Sequence, residues 1–162
     1  CPAGLDRATV SSLKLCWSPG AASTTTDVWQ TLTLEWEMAF TSVANHDNVN
    51  MLAGLGVVSG GERSDANMCG FILASDALNT LTDSAGTETV TVVASAPTLT
   101  DFNRYKIVIR NGAVDFYVNT LLRNTHTTNI PAVPISPRFT TRSEAAVAAR
   151  IEVAHIRCYY SD

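Results

Sequence analysis

Glu35 and Glu37 are the carboxylate pair whose spacing suits acid–base chemistry. At i and i+2 of a strand they share one face, with a backbone separation of about 7 Å. Paired acids at that distance fit glycoside hydrolysis in either stereochemical mode. No Ser-His-Asp or Cys-His arrangement can be assembled, because His46, His126 and His155 stand in unrelated segments and read as surface or internally satisfied residues. His46-Asp47-Asn48-Val49-Asn50 is oxygen-rich enough to suggest calcium, yet it lacks the spacing of a helix–loop–helix calcium loop, so a solvated loop and no metal are expected. Gly54-x-Gly56 and Gly60-Gly61 do not open a helix and read as strand or turn glycines rather than a phosphate loop. Sugar recognition commonly uses an exposed aromatic beside Asn or Asp. The candidates are Trp17, Trp29 and Tyr117, with His46, Asp47, Asn48 and Asn50 as polar partners, each weighed against a structural role. No catalytic residue and no cofactor is assigned.

The elements that must position these groups are strands. Leu32, Leu34, Trp36, Met38 and Phe40 alternate with Thr31, Thr33, Glu35, Glu37 and Ala39, which predicts a half-buried strand over Val28–Thr41. Trp36 falls on its core side. Tyr105-Lys-Ile-Val-Ile-Arg, Asn111-Gly112 and Ala-Val-Asp-Phe-Tyr-Val form a hairpin signature, since Asn-Gly favours a tight turn with positive φ at both central residues. A two-residue turn pairs Arg110 with Ala113, Ile109 with Val114, Ile107 with Phe116 and Tyr105 with Val118. The pairing and the apolar parity agree. Val10–Trp17, Met51–Val58, Cys69–Ala74, Thr89–Ala94 and Phe139–Arg142 read as further strands, the middle three covered on both faces. In Arg150–Tyr160 the apolar parity switches from Ile151 and Val153 to Ile156, Cys158 and Tyr160, which predicts a bulge near Ala154-His155. Ser18–Asp27, Val43–Asn50, Ser59–Asn67 and Ser75–Thr87 read as loops, and the Ser143–Ala149 run as a loop turn.

At 162 residues, 46% hydrophobic and 16% charged, the chain fits one globular domain over residues 1–162. Net charge is −4, with nine arginines and two lysines scattered, so nucleic acid is not expected as a partner. No apolar run is long enough for a membrane-spanning helix, and no membrane partner is expected. Cys1, Cys16, Cys69 and Cys158 contain no CxxC pair, so zinc is not expected; disulfides and isolated buried thiols both stay open. There is no N-glycosylation sequon. The sequence begins at Cys1 without a signal peptide, so an upstream part is expected to have been removed by processing or truncation.

Thr31-Leu-Thr-Leu-Glu-Trp-Glu-Met-Ala-Phe resembles the early core strand of concanavalin-A-like (laminin-G-like) domains. Tyr105-Lys-Ile-Val-Ile-Arg-Asn-Gly-Ala-Val-Asp-Phe-Tyr-Val-Asn-Thr-Leu-Leu is similar to that family's central hairpin, with Thr120 where a turn glycine is usual. Ile130-Pro131 and the closing Arg150–Tyr160 strand fit its later hallmarks, and similar hairpins occur in phage structural proteins. The resemblance implies an all-β, two-sheet antiparallel jelly-roll sandwich. The glucanases of this fold carry an E-x-D-x-x-E or related strand motif that is absent here, so no enzyme is expected. The expected function is a virion surface protein, such as a phage capsid decoration, head-fibre or tail-fibre domain. The alternative is a carbohydrate-binding, lectin-like domain, with a glycoside hydrolase ranked below it. Half-apolar positions on the outer face (Ala39, Val108, Ala113, Tyr117) add the expectation of a homo-oligomer or a larger capsid or fibre scaffold, at a virion surface or extracellular location, with a glycan as candidate ligand.

Overall fold

The alternation along Leu32, Leu34, Trp36, Met38 and Phe40 folds as a strand with all five side chains in the core. The computed structural model describes residues 7–10, 31–41, 49–57, 66–74, 77–110, 112–133, 135–143 and 150–161. Their strands are β1 (Arg7–Val10), β2 (Thr31–Phe40), β3 (Val49–Gly56), β4 (Met68–Ala74), β5 (Ala77–Ser84), β6 (Thr87–Val92), β7 (Asn103–Arg110), β8 (Ala113–Val118), β9 (Leu121–His126), β10 (Ser136–Ser143) and β11 (Ile151–Ser161). They form two antiparallel sheets, β1-β10-β3-β4-β5-β6 and β11-β2-β7-β8-β9, the two-layer sandwich expected of a jelly roll. No described residue is helical.

Side chains alternate across each strand, so the two inner faces meet over one core. Leu34, Trp36, Tyr105, Ile107 and Phe116 from the smaller sheet face Met51, Leu55, Phe71 and Phe139 from the larger. Trp36 anchors it. Its ring stacks on Tyr105 at 5.7 Å and meets Phe71 and Phe139 edge-on at 5.9 and 5.4 Å. Aromatic pairs in these geometries add about 0.5–1.5 kcal/mol each beyond burial. A second buried cluster, Leu52, Met68, Ile72 and Leu81, lies on the opposite face of the six-stranded sheet, so β3 and β4 are covered on both faces as expected. Between them Gly54 sits opposite Gly70, where an added Cβ on Gly54 would meet the Cys69 carbonyl oxygen at 2.3 Å. Only a residue without a side chain lets the two strands approach there.

The hairpin register is the one its turn dictates: Arg110–Ala113, Ile109–Val114, Ile107–Phe116 and Tyr105–Val118 are paired. Gly112 has φ 73°, the left-handed conformation that Asn-Gly supplies. The next turn, between Val118 and Leu121, has positive φ at Asn119 (50°) and Thr120 (69°). The chain thus builds this turn without the usual glycine. The bulge in β11 lies where the parity switch put it, between Ala154 and Arg157, with His155 at φ 51°.

Three expectations are corrected. Ser75–Thr87 is not a loop: most of it is β5, whose Asn79, Thr80, Thr82 and Asp83 are buried by being hydrogen-bonded rather than by being apolar. β6, expected to be covered on both faces, is an exposed edge strand with Val90 and Val92 largely open to solvent. Ile156, assigned the parity of Cys158, is 38% exposed because the bulge takes it out of the alternation. Beyond Val10, the Val10–Trp17 strand lies outside the described residues, as do the Ser18–Asp27 loop, residues 144–149 and Gly60-Gly61. Of the cysteines, Cys69 and Cys158 are free; Cys69 is wholly buried, and burial pushes its thiol pKa up.

At one edge the sheets are joined by polar groups. His126, 3% exposed on β9, places Nδ1 3.0 Å from the Thr82 hydroxyl and Nε2 3.1 Å from those of both Thr80 and Thr91. Asn124 donates to Thr80 at 2.8 Å, and Thr82 donates to the Thr128 carbonyl at 3.0 Å. The ring of His126 also packs on Phe116 with centroids 5.0 Å apart.

Candidate functional site

The odd residues of β2 face away from the core, which puts Glu35 and Glu37 together on the outer face of the five-stranded sheet. Register then decides their company. Across β7, Glu35 is paired with Lys106 and Glu37 with Arg104; across β11, Glu35 is paired with Arg157. The bulge sets His155 and Ile156 together opposite Trp36, an irregularity of the kind that re-aims side chains. Glu35, Trp36, Glu37, Arg104, His155 and Arg157 line one depression of about 250 Å³.

Within it Glu35 is the fixed point. Its side chain is 13% exposed; Arg104 Nη2 donates to Oε2 at 2.8 Å and the Tyr159 hydroxyl to Oε1 at 3.3 Å. The hydrogen bond to Glu35, reinforced by its charge, raises the Arg104 guanidinium pKa still further above its ordinary value. Glu37 is more open, with His155 Nε2 3.9 Å from its Oε2. Lys106 does not join the carboxylates: its Nζ stands 4.1 Å above the Tyr117 ring. The depression therefore offers two carboxylates, two permanent cations and an exposed imidazole, with the Tyr159 phenol beside them, arranged as donors and acceptors on one rigid surface. Among the described residues no group of three or more His, Cys, Asp or Glu is placed to hold a metal ion.

Of the ligand candidates, Tyr117 is on this sheet face, but Lys106 covers one side of its ring, which leaves that side closed to a sugar. Asn50 is in β3, in the other sheet. Trp17, Trp29, His46, Asp47 and Asn48 lie outside the described residues. His126 is the satisfied core histidine of the two alternatives and His155 the surface one. Arg104, Arg157 and Tyr159 were not singled out in the sequence, and His155 was read only as a surface or internally satisfied histidine beside the bulge. One signal pointed to them: the parity switch at Ala154-His155 marks a bulge, and bulges gather beside functional sites.

No family model and no curated protein sequence matches the chain. Solved structures do. A family 7 alginate lyase in complex with product is similar over 99% of this chain and 74% of its own, with TM-score 0.62 and 11% identity. An alginate lyase from Corynebacterium sp. is similar over 82% of this chain, with TM-score 0.54 and 16% identity; the chain spans 61% of that enzyme's length. Sheep galectin-11 is similar over 96% and 97% of the two chains, with TM-score 0.54 and 10% identity. These are jelly-roll sandwiches, the class implied by the resemblance to concanavalin-A-like domains. One expectation falls with them. The non-enzymatic reading rested on the fold and on a missing glucanase motif, yet alginate lyases share this fold without it being a bar to catalysis. None of the neighbours named here is a virion protein, so the phage part of the resemblance gains nothing from them.

Proposed function

We propose that the domain recognises carbohydrate through the outer face of its five-stranded sheet, centred on Glu35, Glu37, Arg104, His155, Arg157 and Tyr159. The observation that carries this reading is the depression of about 250 Å³ lined by charged donors and acceptors, with the partly exposed Tyr159 ring hydrogen-bonded to Glu35 at its edge. Sugar hydroxyls need donors and acceptors held in fixed positions, and a sheet face supplies them without ordering a loop on binding. Alginate lyases and a galectin among the fold's neighbours support a carbohydrate ligand for this architecture. The same face sets the Tyr159 hydroxyl 3.3 Å from Glu35 and the His155 imidazole 3.9 Å from Glu37, residue types that serve as acids and bases, so turnover belongs in the test beside binding.

The experiment is a calorimetric screen of neutral and acidic oligosaccharides, with product analysis after long incubation. At least one sugar binds the wild-type domain, and Glu37→Gln and Tyr159→Ala each weaken it about tenfold while unfolding at the wild-type midpoint. Binding that both variants retain in full places the site elsewhere.

A further inference from the structure

We infer that the ligand of this face is an acidic glycan, bearing carboxylate or sulfate groups, and that Arg157 is the residue that reads the acidic group. This rests on the carbohydrate reading above and goes beyond it by naming the charge of the ligand.

The inference comes from which charges are matched. Lys106 and Arg157 flank Glu35 in register on either side, so either was placed to neutralise it. Neither does. Arg104, one pair further along β7, takes Oε2, and the Tyr159 hydroxyl takes Oε1. Lys106 turns instead to the Tyr117 ring. Glu37 has His155 beside it at 3.9 Å. Arg157 is left lining the depression, exposed, with no side-chain ion pair or hydrogen bond to any described residue. Arg104 balances Glu35, and the side chain beside Glu37 is His155 rather than Arg157. The residues lining the depression thus sum to no net charge with His155 neutral, and Arg157 is the cation among them whose side chain has no ion-pair or hydrogen-bond partner among the described residues.

A guanidinium with all its N–H donors uncommitted, at the wall of a depression, is a ready site for a bidentate oxyanion. A neutral sugar would leave that charge unmatched.

The test is calorimetric titration with three probes: an oligogalacturonate, the uncharged oligogalactose of the same length, and that oligogalactose carrying sulfate. The acidic probes bind at least about tenfold more tightly than the neutral one, and their binding weakens as salt is raised. Arg157→Ala removes about tenfold of the acidic affinity, while Arg157→Lys, which keeps the charge and loses the fork, removes less. The stronger of the two acidic probes identifies the oxyanion as carboxylate or sulfate. Equal affinity for neutral and acidic probes, unchanged in Arg157→Ala, overturns the inference and leaves the carbohydrate reading standing. Absence of binding to all three overturns the inference, and a failure of the wider oligosaccharide screen as well overturns the carbohydrate reading.

Discussion

Acid should loosen the sandwich at one identifiable place, the His126 junction. The ring's two nitrogens are both committed, and the surrounding bonds fix which carries the proton. Thr82 has one hydroxyl hydrogen and donates it to the Thr128 carbonyl, so at Nδ1 it accepts, and Nδ1 is the protonated nitrogen. Thr80 donates to the Thr91 carbonyl, which leaves the Thr91 hydroxyl to donate to Nε2. A second proton would bring a full charge into a site whose hydrogen-bond partners are neutral hydroxyls and an amide, with Phe116 on the ring face and Val114 its strand neighbour. Burial accordingly lowers the His126 pKa below its ordinary 6.5.

The sign follows. Between the lowered folded value and 6.5 the unfolded chain binds the proton and the folded chain does not, so stability is full above about pH 6.5 and falls as the pH drops through that window. While the window lasts, one such group contributes up to about 1.4 kcal/mol per pH unit. His126→Ala at pH 8 removes the two hydrogen bonds to Thr82 and Thr91 at about 1 kcal/mol each and leaves a cavity, for a loss of about 3–4 kcal/mol. The assay is urea unfolding of wild type and His126→Gln between pH 8 and pH 5, read as the difference between the two profiles. The wild-type curve falls more steeply below pH 6.5. Parallel curves, or a heteronuclear NMR spectrum with the proton on Nε2, would refute the reasoning.

Thr120→Gly should stabilise the domain by about 1 kcal/mol in urea unfolding, because Thr120 sits at φ 69° where a side chain costs about 1–2 kcal/mol, offset in part by the unfolded-state entropy of glycine. Gly112→Val should destabilise by about 1 kcal/mol or more through φ alone, since a Cβ there meets nothing within 4 Å; an unchanged midpoint contradicts the turn assignment. Trp36→Ala should lower the unfolding free energy by about 3–5 kcal/mol, as it empties the contact with Phe71, Tyr105 and Phe139, and a loss under 1 kcal/mol would place Trp36 outside the core.

What could be read from the sequence was local. The Tyr105–Val118 pairing was legible because turn chemistry and apolar parity gave the same register independently. The β11 bulge was legible as a change of parity within one strand. β5 and β9 were not, because most of their buried positions are polar, Asn79, Thr80, Thr82, Asp83 and His126, and their partners stand far off in sequence: His126 meets Thr80 46 residues away. Polar residues satisfied across two sheets look like loop composition until the pairing is known. The same limit governs the site. That Glu35 and Glu37 share a face follows from a spacing of two, but that Tyr159 reaches Glu35 across 124 residues follows only from the strand order β11-β2-β7. Which cation neutralises Glu35 is a further step, since register alone favours Lys106 or Arg157 and the structure selects Arg104.

The measurement that bears most directly on the carbohydrate-binding face is a chemical-shift map of the isotopically labelled domain titrated with an acidic oligosaccharide. The shifts should concentrate on Glu35, Glu37, Arg104, Lys106, His155, Arg157 and Tyr159, and leave the six-stranded sheet unmoved. Shifts gathered on β3, β4 or β6 with that cluster silent would contradict the assignment.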